Sequence, residues 1–243
     1  DRRQRQMCIR DRRRVELETE QRKLYLAAVV DAREKLRAAK PEDKMTVFAV
    51  LMRLREICCD PRLIADNWTG GSAKLDACIE LVTSAVESGH RILLFSQFTS
   101  MLELLAKRLD EAGVSHFTLQ GSTPKPVRAE LVRRFNSGEA DVFLISLRAG
   151  GTGLNLTAAD IVIHYDPWWN LAAQNQATDR AYRIGQRNPV QVYRLIAQDT
   201  IEEKIVELQQ AKQSLADTVT GGADGAILSM NPEQLLQLLG EEA

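Results

Sequence analysis

The chain has 243 residues, 44% of them hydrophobic, and its 32 Lys and Arg nearly balance 33 Asp and Glu. That size and apolar content allow one large domain, or a medium one with attached helical pieces. They exclude bulk basicity of the kind that marks a nucleic-acid binder, so any basic surface must be local. No apolar run approaches the ~20 residues needed to span a bilayer, and the Arg-rich start lacks the apolar stretch of a secretion signal.

The first fourteen residues, DRRQRQMCIRDRRR, contain seven arginines, and nothing after Gly221 is Lys or Arg. The stretch MCIRDR (7–12) resembles translated library-adapter sequence, and this Arg-rich start (1–14) carries no weight in the functional reading. From about 15 to 64 apolar residues recur at helical spacing: Leu24, Ala27 and Ala28, then Val47, Val50, Leu51, Leu54 and Ile57. Pro41 separates two helices, and Pro61 with the polar DNWTGGS (66–72) closes a helical segment taken as 15–71. Cys8, Cys58, Cys59 and Cys78 show no C-x-x-C spacing, which points to reduced, buried thiols in a cytosolic protein.

The period then changes. RILLFS (91–96), HFTL (116–119), DVFLIS (141–146), IVIHY (161–165) and VQVYRLIA (190–197) are apolar runs without alternation, as expected of strands buried on both faces. Amphipathic helices lie between them. TSMLELLAKRLDEAG has Thr99 or Ser100 as expected N-cap and Gly113 just past its end. Alternating strands and helices predict an α/β fold with a parallel sheet wrapped by helices over 72–198. From Thr200 onward, IEEKIVELQQAKQSLADTV has helical spacing, followed by a Gly-rich break and a short apolar helix, PEQLLQLLG, within a tail taken as 199–243.

After the third apolar run comes SLRAGGTGLNLT (146–157). Glycines there let backbone amides approach a phosphate, and in a parallel sheet ligands gather at the carboxyl ends of strands. The loop is neither a Walker A frame, since no Lys-Ser or Lys-Thr follows, nor a dinucleotide fingerprint, since Leu156 stands where the third glycine belongs. A tight strand-to-helix turn is the bland alternative. In QNQATDRAYRIGQR (174–187), Gln176, Arg180 and Arg183 share one helical face, where the two guanidinium forks can converge on one anion. Taken alone, the pair also fits a solvated face with Asp179 beside Arg183. His90, His116 and His164 have no partners at catalytic spacing.

Together these stretches resemble the Swi/Snf-like family of DNA-translocating ATPases, in helicase superfamily two, and within it the carboxyl-terminal of two RecA-like lobes. ILLFSQF (92–98) resembles motif IV, QGSTPKPVRAELVRRF (120–135) the segment after it, SLRAGGTGLNLT motif V, and QATDRAYRIGQ (176–186) motif VI. DPWWN (166–170) resembles the family's link between motifs V and VI, with Leu171 where proline is common. MRLREICCDPRL (52–63) resembles the stretch leading out of the first lobe, with Asp60 where histidine is frequent. TIEEKIVELQQAK resembles the brace that packs back across the lobes, so the resemblance covers roughly 15–239.

The resemblance implies a RecA-like lobe with a helical amino-terminal extension and a brace helix, acting in an ATP-dependent double-stranded DNA translocase. Arg180 and Arg183 would be arginine fingers, with Gln176 beside them, and Gly151 and Gly153 would lie toward ATP. DNA-backbone contacts would come from Ser96, Gln97, Gly121, Ser122, Thr123, Ser146, Arg148, Thr152 and Trp169, while Trp168 stays in the core. Core packing is the alternative for Trp169. The phosphate-gripping Lys and the Mg²⁺-organising acidic box belong to the family's first lobe, and DEAG (110–113) imitates that box only in letters because it ends an amphipathic helix. The chain is therefore expected to be the carboxyl half of a longer protein, inactive as an ATPase alone. Its expected partners are duplex DNA, the first lobe and RNA polymerase, with no membrane, and its expected setting is a bacterial nucleoid in the cytoplasm rather than a nucleus. A passive nucleic-acid or polymerase-binding module and an RNA helicase lobe remain the rival readings, although DPWWN and RIGQ argue against the second.

Overall fold

A computed structural model of the chain describes residues 8–150, 154–168, 171–178, 189–216 and 230–240. The described residues divide into two compact units. One comprises the described parts of Asp1–Arg14, Leu75–Trp168 and Ala172–Ile196; the other is built chiefly from Val15–Lys74 and from described residues after Ile196.

The first unit is a six-stranded sheet in the order β1-β6-β5-β2-β4-β3. Its strands are β1 (Cys8–Val15), β2 (Ile92–Ser96), β3 (His116–Leu119), β4 (Val142–Ser146), β5 (Ile161–His164) and β6 (Val190–Ala197). β2 pairs in parallel with β4 and β5, β3 with β4, and β5 with β6. Every residue of β2, β4 and β5 is buried, which explains why these runs are continuously apolar. Leu93, Phe95, Phe143, Ile145 and Val162 pack with Phe135 in one core. The flanking helices include α3 (Ala73–Glu87), α4 (Thr99–Glu111) and α5 (Lys125–Asn136). A helical turn, α6 (Leu147–Gly150), follows β4, and α7 (Leu171–Thr178) precedes β6. This is the expected RecA-like α/β architecture.

Two local details differ from the sequence reading. Residues 8–15, inside and just past the stretch set aside, form the edge strand β1 beside β6. Arg12, Arg13 and Arg14 suit that position, because charges on an edge strand oppose pairing with a second sheet. Helix α4 begins at Thr99 with Phe98 in the N-cap place and no side-chain cap. The Phe98 amide donates to Ser96 Oγ at 3.2 Å, so neither Thr99 nor Ser100 is the N-cap and the entry to the helix is fixed from the strand end. Gly113 follows the helix with φ +69°, a backbone that favours glycine.

The second unit is helical. α1 (Thr19–Ala38) and α2 (Lys44–Cys59) form a hairpin across Pro41, and Asp43 caps α2 by accepting the Thr46 amide at 3.0 Å. Val29, Leu36, Leu51, Leu54 and Ile57 share a core with Ala197 and with Ile201 and Ile205 of α8 (Ile201–Ala216). Leu235 of α9 (Pro232–Leu238), a helix closed by an Asn231–Gln234 capping box, completes it. Beside this core lies a fully buried ion pair: Lys74 Nζ sits 2.6 Å from both Glu202 oxygens, and Glu202 also accepts the Ala197 amide at 2.9 Å. The Ile201 amide donates to the Tyr25 hydroxyl at 2.7 Å. Burial, reinforced by the Glu202 carboxylate, pushes the Cys58 thiol up and out of the range where it ionises.

Candidate nucleic-acid interface at the strand ends

Because β3, β4, β2 and β5 run parallel and adjacent, their carboxyl ends emerge along one edge of the sheet. Ser96 and Ser146 are register partners at the ends of β2 and β4. The next residues in the chain place Gln97 after β2, the turn 120–123 after β3, Arg148 within α6 after β4, and 165–168 after β5. The topology thus gathers Ser96, Gln97, Gly121, Ser122, Thr123, Ser146 and the Arg148 backbone on the edge where ligands of parallel sheets bind. Gln176 is exposed on α7. Gly151, Thr152, Gly153, Trp169, Arg180 and Arg183 lie outside the described residues.

Within this edge the two serines are not solvent-facing. Ser96 is fully buried, and its hydroxyl donates to Asp166 Oδ1 at 2.6 Å while accepting the Phe98 amide. Ser146 is 3% exposed, and its oxygen accepts the Ala149 amide at 3.3 Å, closing the first turn of α6. Each hydroxyl is committed to shaping its own loop. Gly121 and Ser122 are exposed, as the expectation of a backbone contact requires.

The residue that sequence reasoning missed is Asp166. It is fully buried and accepts both the Ser96 hydroxyl and the Gln97 amide, the latter at 3.2 Å. One carboxylate therefore ties the loop after β2 to the loop after β5. Behind it, His164 stacks on Phe95 with centroids 5.6 Å apart, and its Nε2 lies 2.9 Å from Thr178 Oγ1 on α7. Gln174, also buried, accepts the Trp168 amide at 3.4 Å, so α7 is pinned both to the end of β5 and to the loop that follows it. A signal for Asp166 was present: an acidic residue directly after an apolar strand of a parallel sheet must find donors at the strand ends.

On α5 the charges are sorted. Arg133 bonds Glu130 at 2.6 Å and Arg134 bonds Glu139 at 2.7 Å, and these partners hold both carboxyls below their ordinary range. Among the described residues no group of three His, Cys, Asp or Glu side chains could hold a metal ion, and no helix is long and apolar enough to cross a membrane.

The sheet is of the RecA-like α/β class, and the Helicase conserved C-terminal domain matches residues 73–185. The chain is 36% identical over 228 residues to an "Uncharacterized ATP-dependent helicase" of Mycoplasma genitalium, covering 92% of this chain and 22% of that protein. The Sulfolobus solfataricus SWI2/SNF2 ATPase C-terminal domain superposes with a TM-score of 0.79 at 26% identity, covering 97% of this chain and all of that one. The same organism's SWI2/SNF2 ATPase core in complex with dsDNA superposes with a TM-score of 0.81 at 29% identity, covering 98% of this chain and 51% of that one. The chain belongs to the Swi/Snf-like family of helicase superfamily two, as its carboxyl-terminal RecA-like lobe. It spans about a fifth of the length of the curated helicase it matches.

Proposed function

We propose that this chain is the second motor lobe of an ATP-dependent double-stranded DNA translocase, working at the bacterial nucleoid. The observation that carries the reading is the convergence of Gln97, Gly121, Ser122 and the α6 turn on one sheet edge, in a fold shared with a core solved on dsDNA. Gln97, the 121–123 turn, Arg148, Thr152 and Trp169 touch the DNA backbone. Ser96 and Ser146, with their hydroxyls buried, act through the loops they shape. Contacts of this kind position a duplex and read little sequence.

The relative named an ATP-dependent helicase supports ATP as the energy source. Gly151 and Gly153 face the nucleotide, and Arg180 and Arg183, flanked by Gln176, supply guanidinium charge to the γ-phosphate when a first lobe closes on this one. The first lobe contributes the phosphate-binding Lys and the Mg²⁺ ligands, so this chain alone does not hydrolyse ATP. Motif V, touching both DNA and nucleotide, couples γ-phosphate loss to the grip on DNA through one loop.

The test is Arg183→Ala in the full-length protein. DNA-stimulated ATPase should fall by on the order of 10³ while ATP binding falls far less, because the guanidinium acts on transition-state charge. Arg183→Lys should rescue little. Near-normal turnover in either variant, or ATP hydrolysis by this chain alone, would overturn the assignment.

A further inference from the structure

The first turn of α5 carries two cations, Lys125 and Arg128, and no acidic residue. The helix macrodipole makes that end electropositive and favours carboxylates there, so cations in this turn oppose the local field unless an anion joins them. Arg128 does not extend into solvent. Its Nε donates to Thr123 O at 2.7 Å, and its Nη2 donates to Gly121 O at 2.7 Å and to Gln120 O at 3.3 Å. One half-buried guanidinium thus takes three carbonyls, those of 120, 121 and 123, of the turn that follows β3.

The turn is closed further by its own bonds. The Thr123 amide donates to Gln120 O at 3.1 Å, and the Gln120 amide donates to Thr123 Oγ1 at 3.1 Å. With its carbonyls drawn to Arg128, the turn is left with the amides of Gly121 and Ser122, which have no partner among the described residues. Gly121 is informative. Its φ lies outside the left-handed region, and a Cβ built on it meets nothing within 4 Å. Neither backbone conformation nor packing requires glycine here, and the bare main chain leaves room for an outside group to approach its amides closely.

We propose that Arg128 is a positioning residue: by holding the carbonyls of 120, 121 and 123 it presents the Gly121 and Ser122 amides as a seat for one backbone phosphate of duplex DNA. This rests on the reading of the lobe as a DNA translocase and adds to it a residue that shapes the contact without making it. A planar fork is needed, since an ammonium cannot reach three carbonyls in that arrangement. The positive charge behind the turn also polarises its amides toward an anion.

The experiment measures binding of the full chain to a short fluorescent duplex across a salt series, with thermal melting of each variant. Gly121→Ala should melt like the parent, because its methyl enters open space, yet bind about tenfold more weakly, the loss of one charge-assisted hydrogen bond. Arg128→Lys should lose a similar factor with its salt slope unchanged, since its net charge is kept. Amide hydrogen exchange at Thr123 should quicken in Arg128→Lys while α5 is unaffected. Parent-like binding by Arg128→Lys, together with a slope lowered by about one in Arg128→Ala, would make Arg128 a direct charge contact and overturn the positioning role while leaving the lobe's function standing. Unchanged Thr123 exchange in Arg128→Lys would overturn it as well. Absence of salt-dependent duplex binding by the parent chain would overturn the translocase reading and the phosphate seat with it.

Discussion

Lys74→Met tests the buried ion pair of the helical unit. Lys74 and Glu202 are both fully inaccessible, with Nζ at 2.6 Å from each carboxylate oxygen. Removing the ammonium leaves a buried carboxylate held by the Ala197 amide at 2.9 Å and, weakly, by the Cys59 thiol at 3.9 Å. Breaking one side of such a pair destabilises by about 3 to 5 kcal/mol, whereas replacing both partners by neutral groups of similar volume is often close to neutral. At ~2 to 4 °C per kcal/mol for a chain of this size, Lys74→Met should lower the melting midpoint by about 6 to 20 °C. Lys74→Met combined with Glu202→Gln should recover part of that loss, because the glutamine still accepts the Ala197 amide and no charge is left behind, although its buried NH2 lacks an acceptor. Thermal and urea unfolding followed by circular dichroism reads both variants. A single variant within ~1 kcal/mol of the parent, or a double variant as unstable as the single, would refute the claim that the charge, and not the packing of Lys74, is what matters here.

The other predictions concern single residues. Asp166→Ala strands the Ser96 hydroxyl and the Gln97 amide, and should destabilise the chain by about 1 to 3 kcal/mol in chemical denaturation, with Asp166→Asn milder because it keeps one acceptor. Cys58, Cys59 and Cys78 are all buried, and Cys58 is held further from ionisation by its surroundings. Iodoacetamide at mildly alkaline pH should therefore leave these three unlabelled in the native chain and label them in urea, as read by peptide mass mapping; native labelling of Cys58 would contradict its placement. Tyr25→Phe leaves the Ile201 amide without its 2.7 Å acceptor and should destabilise by about 1 to 3 kcal/mol, against near-zero change if that bond does not matter.

The sheet was legible because its central strands are buried on both faces. RILLFS, HFTL, DVFLIS, IVIHY and VQVYRLIA fall on β2 to β6 within a residue at each end. The helical hairpin was legible from its period, and Gly113 from its position after α4. Strand β1 was not, since CIRDRRRV has apolar residues only at its two ends around a charged middle, and becomes a strand by lying along the edge of β6. The motifs grouped Ser96, Gln97 and the 121–123 turn, residues that the topology brings to the carboxyl ends of β2 and β3. They could not show that the Ser96 hydroxyl turns inward, because its partner lies 70 positions away. The same holds for Lys74 and Glu202, separated by 128 positions, whose pairing depends on the fold bringing two helices together. Nothing in the spacing of Arg128 distinguishes it from a solvated helical cation; the carbonyls of 120, 121 and 123 around it do.

The sheet-forming stretch 75–168 with 172–196 sits as an insertion within the helical unit, whose core needs Val29, Leu51 and Ile57 from before it and Ile201, Ile205 and Leu235 from after it. During synthesis, then, α1 and α2 emerge before the sheet-forming stretch, yet keep an open apolar side until Ile201, Ile205 and Leu235 have followed it. The strands β2 to β5, close in sequence, can pair long before that, while β1 must wait for β6. Synthesis order and assembly order run opposite ways across these elements: α1 and α2 precede the sheet-forming stretch but complete their core only after it, and during that interval the hairpin's apolar face is a binding surface for a chaperone.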